Sequence, residues 1–204
     1  MRVQVFSDIH SDKRALEKVA AVEADLYICA GDLANWAKGL EACGKVLRPL
    51  GDKLWVIPGN HETAEQIEGF CTTFGFRYFH GKAFERDGWT FAGLGYSNPT
   101  PFDTPGEYSE DELRSNLAPF AGLSPLVLVC HAPPKDTALD EAVLGKHFGS
   151  PAIREFLDEN QPAHFFCGHI HEAGGREMQI GDTHGVNVGK RGYLLELDRS
   201  PLTD

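Results

Sequence analysis

The organisation of the chain is decided by residues 54–62, which read Leu-Trp-Val-Ile-Pro-Gly-Asn-His-Glu. The first four of these residues are apolar, and their number and type are typical of a buried strand. Pro58 and Gly59 end this strand sharply, so Asn60 and His61 follow directly at its carboxyl end. In an open α/β sheet, ligands and catalytic groups collect at that edge. An amide oxygen next to an imidazole offers a metal ligand beside a group that can also transfer a proton.

The first part of the chain alternates strand-like apolar runs with helical patterns. The predicted strands are Val3–Phe6, Leu26–Ala30 and Leu54–Ile57, and the predicted helices are Lys13–Val22, Lys38–Leu47 and Ala64–Phe74. This β-α-β-α rhythm predicts parallel strands joined by crossover helices.

The pattern changes after residue 76. Short runs separated by Gly81 and Asp87-Gly88 have hairpin punctuation, which predicts that a second, partly antiparallel sheet starts at Arg77. The strands predicted from here on are Arg77–Phe79, Ala83–Arg86, Trp89–Leu94, Leu126–Cys130, His164–Cys167, Arg176–Ile180, Thr183–Val188 and Tyr193–Leu197. Two further helices are predicted, one from a capping box at Ser109 to Leu117 and one from Pro151 to Glu159. The fold class is therefore α/β, with two sheets face to face and helices outside, in one domain over residues 1–204.

Composition narrows the class of protein. The formal charge of −11 argues against a stable complex with nucleic acid or an anionic membrane surface, because such binders use basic patches. No stretch approaches the roughly 20 apolar residues of a membrane span. The chain begins directly with a strand, so no signal peptide is expected. Five cysteines without CxxC spacing predict reduced thiols in a cytoplasmic protein. The oligomeric state stays open.

Metal-type residues follow five strand-like runs. They are Asp8 and His10, then Asp32, then Asn60 and His61, then His131, then His169 and His171. Taken singly, each group has a structural alternative: a helix cap for Asp8, a turn for Asp32, a strand end for His131. Their clustering at one sheet edge favours a metal site. The ligands are oxygen and nitrogen without sulfur, which fits Mn, Fe, Zn, Co or Ni. Their number suits two ions that share a carboxylate.

These residues resemble the motifs of the calcineurin-like metallophosphoesterases. The family pattern is Asp-x-His, Gly-Asp, Gly-Asn-His-Asp/Glu, a single His and Gly-His-x-His, and the chain contains all of it in order: Asp8-Ile9-His10, Gly31-Asp32, Gly59-Asn60-His61-Glu62, His131 and Gly168-His169-Ile170-His171. The resemblance implies a four-layer αββα sandwich with two mixed sheets and a dinuclear centre at the carboxyl ends of the strands. It also implies two divalent transition-metal ions, with manganese favoured.

The resemblance further implies a role for each residue. One ion would be held by Asp8, His10 and His171, and the other by Asn60, His131 and His169. Asp32 would bridge both ions. His61 would bind no metal and would face the scissile phosphate, oriented by a carboxylate such as Asp8 or by a backbone carbonyl. One position departs from the pattern: Asn35 stands where the Gly-Asp motif often continues to a second Asp.

The expected reaction is hydrolysis of a small phosphodiester, in which a hydroxide bridging the two ions attacks phosphorus and His61 protonates the leaving group. One alternative is a phosphomonoesterase or pyrophosphatase that acts on a nucleotide or other metabolite. A second alternative is a non-catalytic scaffold on the same fold, as in the retromer subunit of this superfamily. Substrate choice is assigned to the proline-rich loop 95–109 and the segment around Lys146–Gly149. The candidate substrate contacts are Tyr96, Asn98, Phe102 and His147, for each of which plain loop packing is the alternative.

Overall fold

The apolar runs form strands where their patterns predict them. The computed structural model of the chain describes residues 1–198; residues 199–204, the end of the predicted domain, lie outside this range. The strands are β1 Arg2–Phe6, β2 Leu26–Cys29, β3 Leu54–Val56, β4 Arg77–Tyr78, β5 Lys82–Arg86, β6 Trp89–Leu94, β7 Leu126–Cys130, β8 His164–Cys167, β9 Glu177–Ile180, β10 Thr183–Asn187 and β11 Tyr193–Glu196. The α-helices are α1 Lys13–Ala20, α2 Leu40–Leu47, α3 Ala64–Phe74, α4 Glu110–Leu117 and α5 Pro151–Asn160.

The first sheet has the strand order β11-β1-β2-β3-β4. Strands β1 to β4 are parallel, and β11 pairs antiparallel with β1. The prediction that the second sheet starts at Arg77 is therefore wrong. Helix α3 is a crossover, which returns the chain so that Arg77 pairs in parallel with Trp55 of β3.

The second sheet has the order β5-β6-β7-β8-β10-β9. Its four central strands are parallel, and the two edge strands β5 and β9 are antiparallel to their neighbours. Both sheets are therefore mixed. The central strand β7 is apolar and buried at every position, and the last three residues of β8 are buried as well, because both faces of the sheet are covered.

Three apolar layers hold the sheets and helices together. The two sheets pack face to face through side chains such as Val5, Ile28, Phe91 and Phe166, all fully buried. Helices α1, α2 and α3 cover the outer face of the first sheet, and α4 and α5 cover the outer face of the second. This confirms the predicted αββα sandwich.

Side-chain caps begin the helices close to the predicted site. The Asp12 carboxylate accepts from the backbone N–H of Ala15 at the start of α1, and Thr63 with Gln66 forms a capping box at the start of α3. Each cap follows within a few residues of a predicted metal ligand, so it holds the intervening loop short and ordered. Within residues 1–198, no helix combines the length and apolarity needed to cross a membrane.

Candidate metal centre

The loops that follow five strands meet at one edge, where the two sheets adjoin. Backbone hydrogen bonds join loops that are far apart in sequence: His10 N–H donates to Asp32 (3.0 Å), and Gly168 N–H donates to His131 (3.0 Å). The N–H of His169 donates to the carboxylate of Asp8 (3.0 Å). The predicted clustering of residues from distant segments is present in the structure.

One group of side chains contains Asp8, His10 and His171. The Nε2 atoms of His10 and His171 lie 2.9 Å apart, and Nε2 of His171 lies 3.7 Å from Oδ1 of Asp8. One ligand atom from each of the three residues falls within 4.8 Å of the others. This is the set predicted for the first ion.

A second group contains Asn60, His131 and His169. Oδ1 of Asn60 lies 3.0 Å from Nε2 of His131 and 3.0 Å from Nδ1 of His169. Oδ2 of Asp32 lies between the two groups, 3.5 Å from Nε2 of His131 and 3.6 Å from Nε2 of His10. Asp32 therefore occupies the position that a bridging carboxylate requires.

The donor and acceptor roles in the second group fit a cation. Nδ1 of His131 donates to the carbonyl oxygen of Ala30 (2.8 Å), so the neutral ring presents a lone pair at Nε2. That lone pair faces the oxygen of Asn60, which is also an acceptor. The nitrogen either carries a second proton or faces a positive ion. Burial lowers the pKa of His131, but Asp32 outweighs it and raises the pKa to about 9. A bound cation would take the place of that proton.

The other ligands have shifted pKa values that follow from burial and charge. Burial, followed by the repulsion of His131, lowers the pKa of His169 to about 3 and keeps it neutral, as a metal ligand must be. Burial raises the pKa of Asp8. For Asp32 burial acts in the same direction, but the neighbouring imidazoles, above all His131, hold its pKa below the ordinary value. Two carboxylates this deeply buried need positive charge beside them.

The ligand loops have an unusual backbone. Asp8, His10, Asp32 and His169 all have positive φ, between 47° and 68°, a region that non-glycine residues seldom adopt and that is concentrated at functional sites. At His169 the left-handed conformation makes the chain curl. His169 and His171 can therefore both reach the site, although alternate residues of a strand would point apart.

Close contact between the loops explains one motif glycine. A Cβ atom on Gly59 would lie 2.0 Å from Oδ1 of Asp32, closer than any real contact. A side chain at this position would therefore displace the predicted bridging carboxylate.

Glu62 is a structural residue of the site to which sequence reasoning gave no role. It is fully buried, and its carboxylate accepts from three backbone N–H groups, those of Asp32 (3.1 Å), Ala34 (2.8 Å) and Gly59 (3.0 Å). Burial and the charge of Asp32 raise its pKa to about 8. Glu62 thereby ties the loop that carries Asp32 to the loop that carries Asn60. The feature of the sequence that could have indicated this role is the position of Glu62 at the end of the Gly-Asn-His-Glu motif.

His61 lies beside both groups. Its backbone N–H donates to Oδ1 of Asp32 (3.0 Å), and its ring packs edge-on against His10 and Trp36, with centroids 5.1 and 5.8 Å away. The expected orienting hydrogen bond from Asp8 or a backbone carbonyl is absent, because Nδ1 of His61 is buried without a partner among the described residues. Ring packing positions His61 instead, and Trp36 is a neighbour that the sequence did not indicate.

A cavity of about 540 Å³ opens onto the metal-type residues. Three of the predicted substrate contacts, Asn98, Phe102 and His147, line it together with Lys135 and Phe148. The side-chain amide of Asn98 donates to the carbonyl of Phe148 (3.1 Å), which joins the two loops that form its walls.

Tyr96 is not among the residues that line this cavity. Its hydroxyl accepts from the backbone N–H of Ala64 (2.8 Å), and its ring packs against His80 and Tyr108. The structure thus places Tyr96 in the packing between loop 95–109 and the start of α3, and its role as a substrate contact stays a prediction.

Comparisons with known proteins agree with this arrangement. The chain is 34% identical over 202 residues to the uncharacterized protein MJ1162 of Methanocaldococcus jannaschii. The aligned region covers 96% of this chain and 91% of that protein. The fold of this chain is similar to that of TT1561 of Thermus thermophilus (TM-score 0.70, 17% identity, covering 92% of this chain and 88% of the other). It is also similar to a dimetal phosphatase of Danio rerio (TM-score 0.62, 11% identity, 91% and 86%). At these identities the two structures show the fold alone.

The family model described as calcineurin-like phosphoesterase matches residues 1–173. This range contains all five motifs and both groups of metal-type side chains. The chain therefore belongs to the calcineurin-like phosphoesterases.

Proposed function

We propose that this protein hydrolyses small phosphodiesters at a dinuclear metal centre, with His61 as the general acid. Membership of the family supports metal-dependent hydrolysis of phosphoesters. The observation that carries the proposal is the position of Asp32, whose Oδ2 lies within 3.6 Å of a ring nitrogen from each of the two ligand groups. A carboxylate placed in this way suits two ions about 3.5–4 Å apart.

The residues that would hold the two ions are those predicted: Asp8, His10 and His171 for one, Asn60, His131 and His169 for the other, and Asp32 for both. When bound, the ions supply Lewis-acid polarisation of the phosphate and a water acidic enough to act as a nucleophile at neutral pH. The oxygen and nitrogen ligands fit manganese, iron, zinc, cobalt or nickel. Of these, manganese is proposed because the resemblance to the family implies it.

His61 is proposed to protonate the leaving oxygen. Its ring lines the cavity of about 540 Å³, and its Nδ1 is buried with no hydrogen-bond partner among the described residues. Edge-on packing against His10 and Trp36 limits the rotation of the ring. A poor alkoxide leaving group depends on such a proton donor.

The cavities around the site support the proposal that the substrate is a phosphodiester. A second cavity, of about 490 Å³, lies on the side of Asp8 and His10, and His171 lines both cavities. A phosphodiester has two organic substituents, and two cavities that share His171 in their lining offer a place for each. The larger cavity presents exposed rings of Phe102 and Phe148, which favours an aromatic substituent there.

The second candidate function is hydrolysis of a monoester or pyrophosphate of a nucleotide or other metabolite. It is favoured by positive charge on the wall of the larger cavity. Nδ1 of His147 donates to the buried carboxylate of Asp140 (2.7 Å), an interaction that raises the pKa of His147. The ammonium of Lys135 lies beside it and donates to the carbonyl of His147 (3.3 Å). Together these side chains offer a partner for the additional charge of a phosphate dianion.

We propose a cytoplasmic location and a small-molecule substrate rather than nucleic acid or a membrane. All five cysteines are buried free thiols, which supports a reducing compartment.

Two measurements on the wild-type protein test the proposal. Elemental analysis after metal loading and desalting should find close to two transition-metal ions per chain, and a chelator should remove them together with the activity. Hydrolysis of bis-p-nitrophenyl phosphate should then exceed that of p-nitrophenyl phosphate in kcat/KM under the same metal. One ion at full activity contradicts the dinuclear centre. A tenfold preference for the monoester, about 1.4 kcal/mol in transition-state stabilisation, selects the second candidate.

A further inference from the structure

Loop 95–109, which the sequence assigned to substrate choice, also contacts a predicted metal ligand. The Nδ2 group of Asn60 donates to Oγ1 of Thr104 (3.1 Å), and both residues are buried. The backbone of the same loop is joined to this ligand as well, because the N–H of Gly106 donates to the carbonyl of Asn60 (3.0 Å).

The next contact in this chain fixes the direction of the hydrogen bonds. The hydroxyl of Thr104 donates to Oε1 of Glu107. An ionised carboxylate has no proton to give, so the single proton of the hydroxyl is committed to Glu107. Burial raises the pKa of Glu107, but hydrogen bonds from Thr100 and Thr104 outweigh it and leave the pKa below its ordinary value. Toward Asn60 the Thr104 hydroxyl can therefore act only as an acceptor, and it needs an N–H group of the Asn60 amide as the donor.

That direction determines which end of the Asn60 amide faces the ligand group. Nδ2 must point to Thr104, and Oδ1 must therefore point to His131 and His169, each 3.0 Å away. A rotated amide would aim N–H groups at the second ion and would leave a buried lone pair of Thr104 opposite an oxygen.

We propose that Thr104 and Glu107 are positioning residues for the second metal site, which fix the Asn60 amide so that its oxygen faces the ion. The inference rests on the dinuclear centre proposed above. It gives loop 95–109 a role in metal binding in addition to any contact with substrate. Partners of this kind behind a metal ligand contribute 10–100-fold to metal affinity in other sites.

Thr104→Val tests the inference, because it removes the hydroxyl and keeps the shape. Metal-free protein is titrated with Mn²⁺ against a fluorescent chelator, which resolves the two binding steps, and thermal unfolding confirms the fold. The variant should bind the second ion about 10–100-fold more weakly and the first ion unchanged. Thr104→Ser, which retains the hydroxyl, should bind both ions as the wild type does. Thr104→Ala repeats the test in case the valine variant does not fold.

Thr100→Val is the matched control. The Thr100 hydroxyl donates to the same Oε1 atom of Glu107 (2.6 Å), but no hydrogen bond joins it to Asn60. It should leave the affinity for the first ion unchanged and weaken binding of the second ion less than Thr104→Val does, because the Thr104 hydroxyl and its contact with Asn60 remain. Unchanged binding of the second ion by Thr104→Val, or an equal loss in Thr100→Val, overturns the positioning role while leaving the dinuclear centre intact. A wild-type protein that binds only one ion overturns the dinuclear centre and this inference with it.

Discussion

Replacement of Asp32 and of His61 by alanine should lower the activity for different reasons, the first by loss of metal and the second by loss of a proton donor. Asp32 is buried between the two ligand groups, with Oδ2 at 3.5 Å from His131 and 3.6 Å from His10. Two unit charges 3.5 Å apart interact by about 5 kcal/mol at an effective dielectric constant of 20. The loss of a carboxylate between two divalent ions should therefore weaken binding by several orders of magnitude. Asp32→Ala is expected to lose its metal and its activity together.

His61→Ala should keep both ions, because the hydrogen bond that joins this residue to Asp32 is donated by its backbone N–H, which alanine retains. Only the imidazole is lost. Without that proton donor, kcat should fall by about 10²–10⁴, which corresponds to roughly 3–5 kcal/mol in the barrier.

The assay is metal content by elemental analysis, measured on the same samples as kcat for bis-p-nitrophenyl phosphate with saturating Mn²⁺. His184→Ala is the matched control, since His184 pairs with Glu177 on the edge of the second sheet and should retain metal and activity. The experiment can contradict this role, because a ring nitrogen of His61 lies within 4.8 Å of ligand atoms of His10 and Asp32, so these three residues could also hold a metal ion. If His61→Ala binds fewer ions than the wild type, His61 is a metal ligand and the role given to it is refuted.

Three further predictions follow from other parts of the structure. Gly59→Ala should lower the affinity for metal at least tenfold, because its Cβ would stand 2.0 Å from Oδ1 of Asp32; metal titration that matches the wild type would contradict this. His80 accepts from the N–H of Gly95 (2.8 Å), and burial lowers its pKa to about 4, below the roughly 6.5 of the unfolded chain. It thus contributes stability that is present above pH 6.5 and lost as the pH falls toward 4, up to about 3 kcal/mol. Urea unfolding of the wild type across this range should show a steeper loss than that of His80→Gln, and equal slopes would refute the assignment. Phe102→Ala and Phe148→Ala should each lower kcat/KM for aryl diesters about 3–10-fold more than for alkyl diesters, by loss of aromatic packing of roughly 0.5–1.5 kcal/mol. Leu144→Ala, on the exposed part of the adjoining segment, should change neither value.

The amino-acid sequence by itself determined the secondary structure and the set of metal-type residues. Helix α3 begins and ends at the predicted residues, because its capping box and its Gly75 terminus are local signals. Asp8, Asp32, Asn60, His131 and the His169/His171 pair were identified because each directly follows a strand. Parallel strands bring such positions to one edge within each sheet. Strands β1, β2 and β3 belong to the first sheet and β7 and β8 to the second, so the packing of the two sheets was needed to bring the two edges together.

Only the tertiary structure decided which side chains hydrogen-bond to these residues and to their loops. Glu62 binds backbone N–H groups on two separate loops, and Glu107 acts on Asn60 through Thr104, contacts that join residues 30 and 44 positions apart. It also decided that β4 joins the first sheet and that Tyr96 packs against the start of α3 instead of lining the cavity. Strand and helix patterns arise from neighbours in the chain. The partner of a buried polar group depends on how distant loops close against one another, and no periodicity in the sequence records that closure.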